Sequence, residues 1–300
     1  MTASSVETSS QSLLFSLILT GGAREAELQR FLDSLSSVTI PLTSIQLVFV
    51  NQSTKSIYGY RSSTSGFLVN EVFVQPCSLS KARNIGLSIA CGIFIMFPDD
   101  DCWYPPSIFT DFLNCFNSLQ SVACICGSVF DPYLNKPYGN RPLKLFTPIS
   151  YHNILLPISV GIAVRRSALQ HLPTYFNEQY GAGTPLGSGE ETDLLDRLLN
   201  LGHNIVYDGR IIVYHELEKC SSPLKSYRYG VGFGHLCFSR LCDGNFWYAL
   251  LFAKIVFYTC VGFIVRLPFS PGLSILRMVR LFGIFIGFFG VLSFRSLEQQ

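Results

Sequence analysis

The first hundred residues alternate short apolar runs with amphipathic stretches, and the series stops on three consecutive carboxylates. Leu13–Thr20 is apolar and ends at Gly21-Gly22. Ala23–Leu35 follows, with Leu28, Phe31, Leu32 and Leu35 at helical spacing. Ile45–Val50 is a second apolar run, residues 51–66 a polar loop, and Phe67–Val74 a third run. Ser80 caps a predicted helix to about Cys91, with Ala82, Ile85 and Ile89 inward. Gly92–Phe97 is the fourth run, closed by Pro98. Short apolar runs separated by helical patterns predict an α/β fold, a mostly parallel central sheet flanked by helices. Such sheets bind ligands at the carboxyl ends of their strands. Asp99, Asp100 and Asp101 fall there. Three adjacent carboxylates repel one another, and a hard divalent cation such as Mg²⁺ or Mn²⁺ offsets that repulsion while sharing substrate phosphates.

Downstream, Pro105-Pro106 opens a helix to about Leu119, and Val122–Phe130 reads as a strand. Residues 131–157 lack periodicity and read as loop; Ser159–Val164 reads as a strand. The turn Gly187-Ser188-Gly189 precedes Glu190-Glu191-Thr192-Asp193, which opens a helix to Leu201. Acids there suit the helix dipole, so the pattern alone fits capping as well as chemistry. Ile205–Tyr207 and Ile211–Tyr214 read as short strands, and Tyr227–Gly234 as a mobile loop at the acceptor or diphosphate side of a site, or as a juxtamembrane connector.

Phe246–Val265 is twenty residues with one charge, Lys254. That length reaches roughly 30 Å as a helix, the thickness of a bilayer core. A second uncharged run, Leu281–Phe294, is short for a span. Arg266, Arg277 and Arg280 lie between them, so two spans would break the positive-inside rule if the bulk of the chain is cytoplasmic. A hairpin or interfacial pair of helices, with these Arg at anionic headgroups, avoids that conflict. Charged residues make up only 14% of the chain and hydrophobic ones 48%, which excludes disorder. A net charge of +2 argues against a nucleic-acid partner. The 10 Cys form no CxxC pair and read as small buried hydrophobes in a reducing compartment, and no secretory signal opens the chain.

Leu79-Ser80-Lys81-Ala82-Arg83-Asn84-Ile85-Gly86-Leu87, then a strand, the Asp cluster and Glu190-Glu191, resembles family 2 glycosyltransferases of GT-A fold over about residues 13–220. The resemblance implies residues 1–11 as a loose N-terminus and 12–240 as the transferase domain. Within it, 12–104 form the nucleotide-sugar half and 105–240 the acceptor half; 241–300 are a membrane-associated tail. It implies a UDP- or TDP-sugar donor and inversion at the anomeric carbon. Thr20, Asn51, Arg83, Asp99 and Asp100 take nucleotide-sugar positions, Asp100 at the ribose. Asp101, with Asp100 and His215, takes the metal. Glu191 takes the base position, with Glu190 beside it as the other candidate. The chain departs from the family at Pro98 and Asn51, where Asp is usual, and at Glu191, which is Glu for Asp.

The function implied is transfer of a sugar to a glycan or lipid-linked acceptor at the cytoplasmic face of a membrane, assisted by Mg²⁺ or Mn²⁺. The alternatives are a nucleotidyltransferase on a similar sheet, or a membrane-tethered, non-catalytic protein that binds sugar nucleotides.

Overall fold

A computed structural model describes residues 13–21, 24–60, 66–217 and 222–290. The expected loose N-terminus (1–11), Cys220 and the end of the second apolar run (to Phe294) lie outside the described residues. The elements are β1 (Phe15–Gly21), α1 (Glu25–Ser36), β2 (Ile45–Asn51), β3 (Leu68–Phe73), α2 (Leu79–Leu87), β4 (Phe94–Met96), β5 (Cys102–Trp103), α3 (Ile108–Ser118) and β6 (Val122–Asp131). They continue as β7 (Lys136–Pro137), β8 (Phe146–Pro148), β9 (Ile162–Arg165), α4 (Arg166–Leu169), α5 (Glu190–Asn200), β10 (Asn204–His215), α6 (Pro223–Cys242), α7 (Trp247–Arg266) and α8 (Pro271–Phe289).

One sheet runs in the order β3-β2-β1-β4-β9-β6-β10-β5, with β7 on β6 and β8 on β10. Its first four strands are parallel, as the strand–helix alternation predicts. β9 then enters antiparallel between β4 and β6, so the sheet as a whole is mixed rather than mostly parallel. The cause is the connection: β9 is reached through the long stretch after β6, not through a crossover helix. That stretch, predicted as loop, contains β7 and β8.

The apolar runs of β1 and β2 do not alternate with polar residues because both faces are covered. Phe15, Leu17 and Leu19 pack with Leu28, Phe31, Leu32 and Leu35 of α1 and Phe109, Phe112 and Phe116 of α3. Ile18 and Val48 face the other way, into a core shared with Leu194, Leu195 and Leu198 of α5. The cap of α2 is Ser78, whose Oγ accepts from Lys81 N–H at 3.3 Å. Ser80, the predicted cap, is buried and donates to the Tyr180 carbonyl at 2.7 Å. The two predicted strands after α5 are one, β10, irregular between Asp208 and Ile212.

Residues 227–234 are neither loop nor connector; they lie inside α6. Their glycines are the reason α8 can pack so close. A Cβ at Gly230 would stand 2.2 Å from the Arg280 carbonyl, and one at Gly234 2.1 Å from that of Ile284. In return, Gly283 and Gly287 would meet the Tyr227 and Val231 carbonyls at 2.3 and 2.1 Å. Two small-xxx-small pairs thus seat parallel helices backbone to backbone. α8 starts at Pro271, so much of the stretch between the two apolar runs is helix. α7 and α8 have mean hydropathies of 2.0 and 1.7 and are long and apolar enough to cross a membrane by length and composition.

Gly283→Leu should force these helices apart and cost about 1–3 kcal/mol. Gly272→Ala should cost far less, because nothing lies within 4 Å of a Cβ there. Thermal unfolding followed by intrinsic fluorescence checks this; equal Tm values for the two variants would remove the close-packing account.

Candidate active site

A cleft of about 1200 Å³ opens at the carboxyl ends of the parallel strands. Thr20, at the end of β1, bridges to Asp99, which fixes the acidic turn against the sheet. Gly21 follows at φ +132°, and a Cβ there would lie 2.5 Å from Asp100 Oδ2, so both conformation and space require glycine. The turn then enters β5, which pairs antiparallel with β10 in the register His215 opposite Cys102. That register, unreadable from the sequence, carries His215 to the Asp cluster.

Asp99, Asp101 and His215 each present one ligand atom, all within 4.8 Å of one another. His215 Nε2 stands 3.1 Å from Asp101 Oδ1, a buried oxygen with no aligned hydrogen-bond donor. His215 Nδ1 lies 2.6 Å from the Glu216 carbonyl. As the donor in that bond it leaves Nε2 to face a cation, the usual outer support of a metal-binding histidine. Two carboxylates and an imidazole fit Mn²⁺ or Mg²⁺ better than a soft metal. Asp100, expected among the ligands, is outside this group; its carboxylate turns to Gly21 and Arg24. Burial opposes ionisation of Asp101, yet His215 and Arg24 hold its carboxyl down to about 2.

Arg24 and Arg30 escaped the sequence reading. Arg24 pairs with both Asp100 and Asp101. Arg30 donates to the Asp101 carbonyl at 3.1 Å, pairs with Glu216 and lies 3.9 Å over the Trp103 ring. A signal existed: they are the only cations before Lys55 and bracket the first helix after a strand.

The structure places two expected nucleotide contacts elsewhere. Asn51 is fully buried: its Nδ2 donates to the Lys55 carbonyl and to Glu71, both at 2.7 Å, and its Oδ1 accepts from Ser53 N–H and Oγ–H. Its hydrogen-bonding capacity is spent on its own loop, and the neighbouring Gln52 lines the cleft instead. Arg83 is also fully buried. Its guanidinium lies beneath the cleft, 3.2 Å from Asp99 Oδ1 and 3.7 Å from Glu190 Oε1, beside the edge-on pair of Phe97 and Phe176 rings.

Gly189, at φ +103°, turns the chain into α5. Glu190 and Glu191 sit in its first turn and both line the cleft, Glu190 buried and Glu191 half-buried. Burial and the neighbouring Glu191 push the Glu190 carboxyl up to about 8 against the pull of Arg83. Asp193 turns away, to Arg197 and Arg240.

No protein-family model and no curated protein matches the chain. Solved structures do. A mannosyltransferase, PcManGT from Pyrobaculum calidifontis, in complex with GDP-Man and Mn²⁺, aligns at TM-score 0.67 and 12% identity, covering 94% of this chain and 88% of its own. A 1–349 fragment of S. aureus TarS in complex with UDP aligns at 0.57 and 18%, covering 94% and 91%. The fold is GT-A. Against another TarS structure the match covers 74% of this chain and only 43% of the TarS chain, at TM-score 0.56. The sheet and its flanking helices described above are therefore those of a GT-A fold.

Because the folded-state value of Glu190 lies above its ordinary 4.5, the group's contribution to stability is present below that pH and is lost as pH rises through about 8. Glu190→Gln removes the dependence. The Tm of the native chain should fall relative to the variant as pH rises through that window; parallel Tm–pH curves would refute the assignment.

Proposed function

We propose that the chain is an inverting glycosyltransferase that moves a sugar from a nucleotide diphosphate-sugar to an acceptor at a membrane surface. The observation that supports it is the meeting, in one GT-A cleft, of a carboxylate–imidazole cation site with a second carboxylate pair at a helix start. Asp99, Asp101 and His215 would hold Mn²⁺ or Mg²⁺. The bound cation would offset the charge growing on the leaving diphosphate. Thr20 and Asp100 line the donor side of the acidic turn, where the ribose would be held. Glu191, half-buried and open to the cleft, takes the proton from the acceptor hydroxyl as that oxygen attacks the anomeric carbon. Glu190 is the buried partner whose contact with Arg83 sets the start of α5. The neighbours' complexes with UDP-GlcNAc and with GDP-Man and Mn²⁺ support a nucleotide-sugar donor. The base of that donor is not carried over, because Asn51 makes no contact with the cleft.

The membrane reading favours a hairpin lying in the interface. α8 runs alongside α6, and Arg240 near the end of α6 is tied to Asp193 and Asp196 of α5. Carrying α8 across a bilayer would drag these buried charges with it, at high cost. Laid flat, α7 and α8 present Phe257, Ile264, Phe282 and Phe289 outward. The tail is therefore also a wall of the body.

A donor screen with the purified chain and Mn²⁺, reading nucleoside diphosphate release, tests the reaction. Asp101→Ala and Glu191→Gln should each lower transfer about 100-fold or more with the fold intact. Full activity in either variant sinks its role, and pyrophosphate release instead would point to nucleotidyl transfer. For the membrane, the full chain should float with phosphatidylglycerol-containing vesicles, and the double variant Phe257→Glu, Ile264→Glu should stay in solution. Unchanged flotation of that variant would remove α7 from the interface.

A further inference from the structure

Three arginines reach the acidic turn, and they differ in how firmly they are held. Arg83 is enclosed beneath Asp99 and fully buried. Arg30 is anchored from several sides: it donates to the Asp101 carbonyl, pairs with Glu216 at 2.5 Å and lies over the Trp103 ring. Arg24 is the loosest of the three. It stands at the entry to α1 and lines the cleft, and its side chain is 49% exposed. Its hydrogen-bond and ion-pair partners among the described residues are the carboxylates of Asp100 and Asp101.

The Asp101 carboxylate is divided between two neighbours. Its Oδ2 accepts from Arg24, whereas its Oδ1 stands 3.1 Å from His215 Nε2, where the candidate cation ligands converge. A divalent charge beside this carboxylate repels a guanidinium on its other oxygen, and the more weakly held cation yields. An ion pair with a half-exposed partner costs little to open. Arg83 and Arg30 cannot yield in the same way, the one because it is enclosed and the other because it is anchored. Once released, Arg24 is still a cation at the surface of the same cleft. A phosphate group is its natural partner there, because a guanidinium matches phosphate oxygens bidentately.

We propose that Arg24 is a resident counter-ion of the acidic turn, which gives up Asp101 when a divalent cation arrives and passes to the diphosphate of the nucleotide. This deepens the transferase reading and rests on its cation site. It adds a link between two ligands: the cation frees Arg24 for the nucleotide, and the nucleotide draws Arg24 away from the cation's carboxylate. Coupling of this kind is reciprocal.

Mn²⁺ titration of the full chain in a neutral detergent tests this without turnover, read as loss of the free-ion signal in electron paramagnetic resonance. A second series measures UDP binding at saturating Mn²⁺. Arg24→Gln should bind Mn²⁺ alone at least about fivefold more tightly than the native chain, and should bind UDP at least about fivefold more weakly. A merely structural lesion would not tighten one ligand while loosening the other. Arg24→Lys keeps the charge and should lie between the variant and the native chain in both series. Arg30→Gln removes an anchored cation that also touches Asp101, and its affinity for Mn²⁺ should fall. Unchanged or weaker Mn²⁺ binding in Arg24→Gln overturns the proposal, as does unchanged UDP binding. Equal tightening in Arg30→Gln would assign the effect to net charge and overturns it too. If the native chain and Arg24→Gln bind no more Mn²⁺ than Asp101→Ala does, the cation site fails and the proposal fails with it; every other negative result leaves that site standing.

Discussion

Like charges held close together in one cleft are the constraint around which this molecule is arranged. Asp99, Asp100 and Asp101 crowd one turn; Glu190, Glu191 and Asp193 crowd one helix start. Arg83 answers both groups from below. It is fully buried, reaches both Asp99 and Glu190, and lies beside the paired Phe97 and Phe176 rings. A buried guanidinium is costly unless its partners are fixed, so the cation and the two acids set one another's positions. Arg24 and Arg240 extend the pattern, each tying acids of the cleft region to a second element. Burial and Glu191 push Glu190 up to about 8 against the pull of Arg83, whereas His215 and Arg24 hold Asp101 down to about 2 against its own burial. Two acids with such different proton affinities can serve different steps.

The C-terminal helices cannot be separated from this arrangement. Tyr248 of α7 donates to Asp196 of α5 at 2.9 Å, and Arg240 of α6 reaches Asp193, Asp196 and Asp243. The helix that presents Glu191 is therefore braced by the segment that presents an apolar face outward. Whatever fixes α7 and α8 at an interface also fixes the orientation of the cleft, because the helices and the cleft wall are the same atoms.

Local periodicity carried the first half of the fold. Leu28, Phe31, Leu32 and Leu35 do point into the core, and the four early strands lie close to where unbroken apolar runs place them. What escaped depends on contacts between distant segments. β9 inserts antiparallel because of where its connection returns, and no residue within Ile162–Arg165 encodes that direction. His215 reaches the acids only through a two-residue pairing with β5. Asn51 looked free to contact a base, yet Glu71, twenty residues on, consumes it.

One long-range feature was nevertheless written locally. Gly230 and Gly234 in α6 and Gly283 and Gly287 in α8 share the same spacing, a signature of helices in backbone contact. Read separately, the first pair resembles a flexible loop and the second an ordinary apolar run. Read together, they predict that α8 docks along α6, and hence that Arg280, three residues before Gly283, sits level with Gly230 instead of at headgroups. The charge that looked like a headgroup contact becomes a residue of the cleft. A membrane-like composition in this tail is thus compatible with direct participation in ligand binding. The same small residues that let the helices touch decide which of Arg266, Arg277 and Arg280 faces the site.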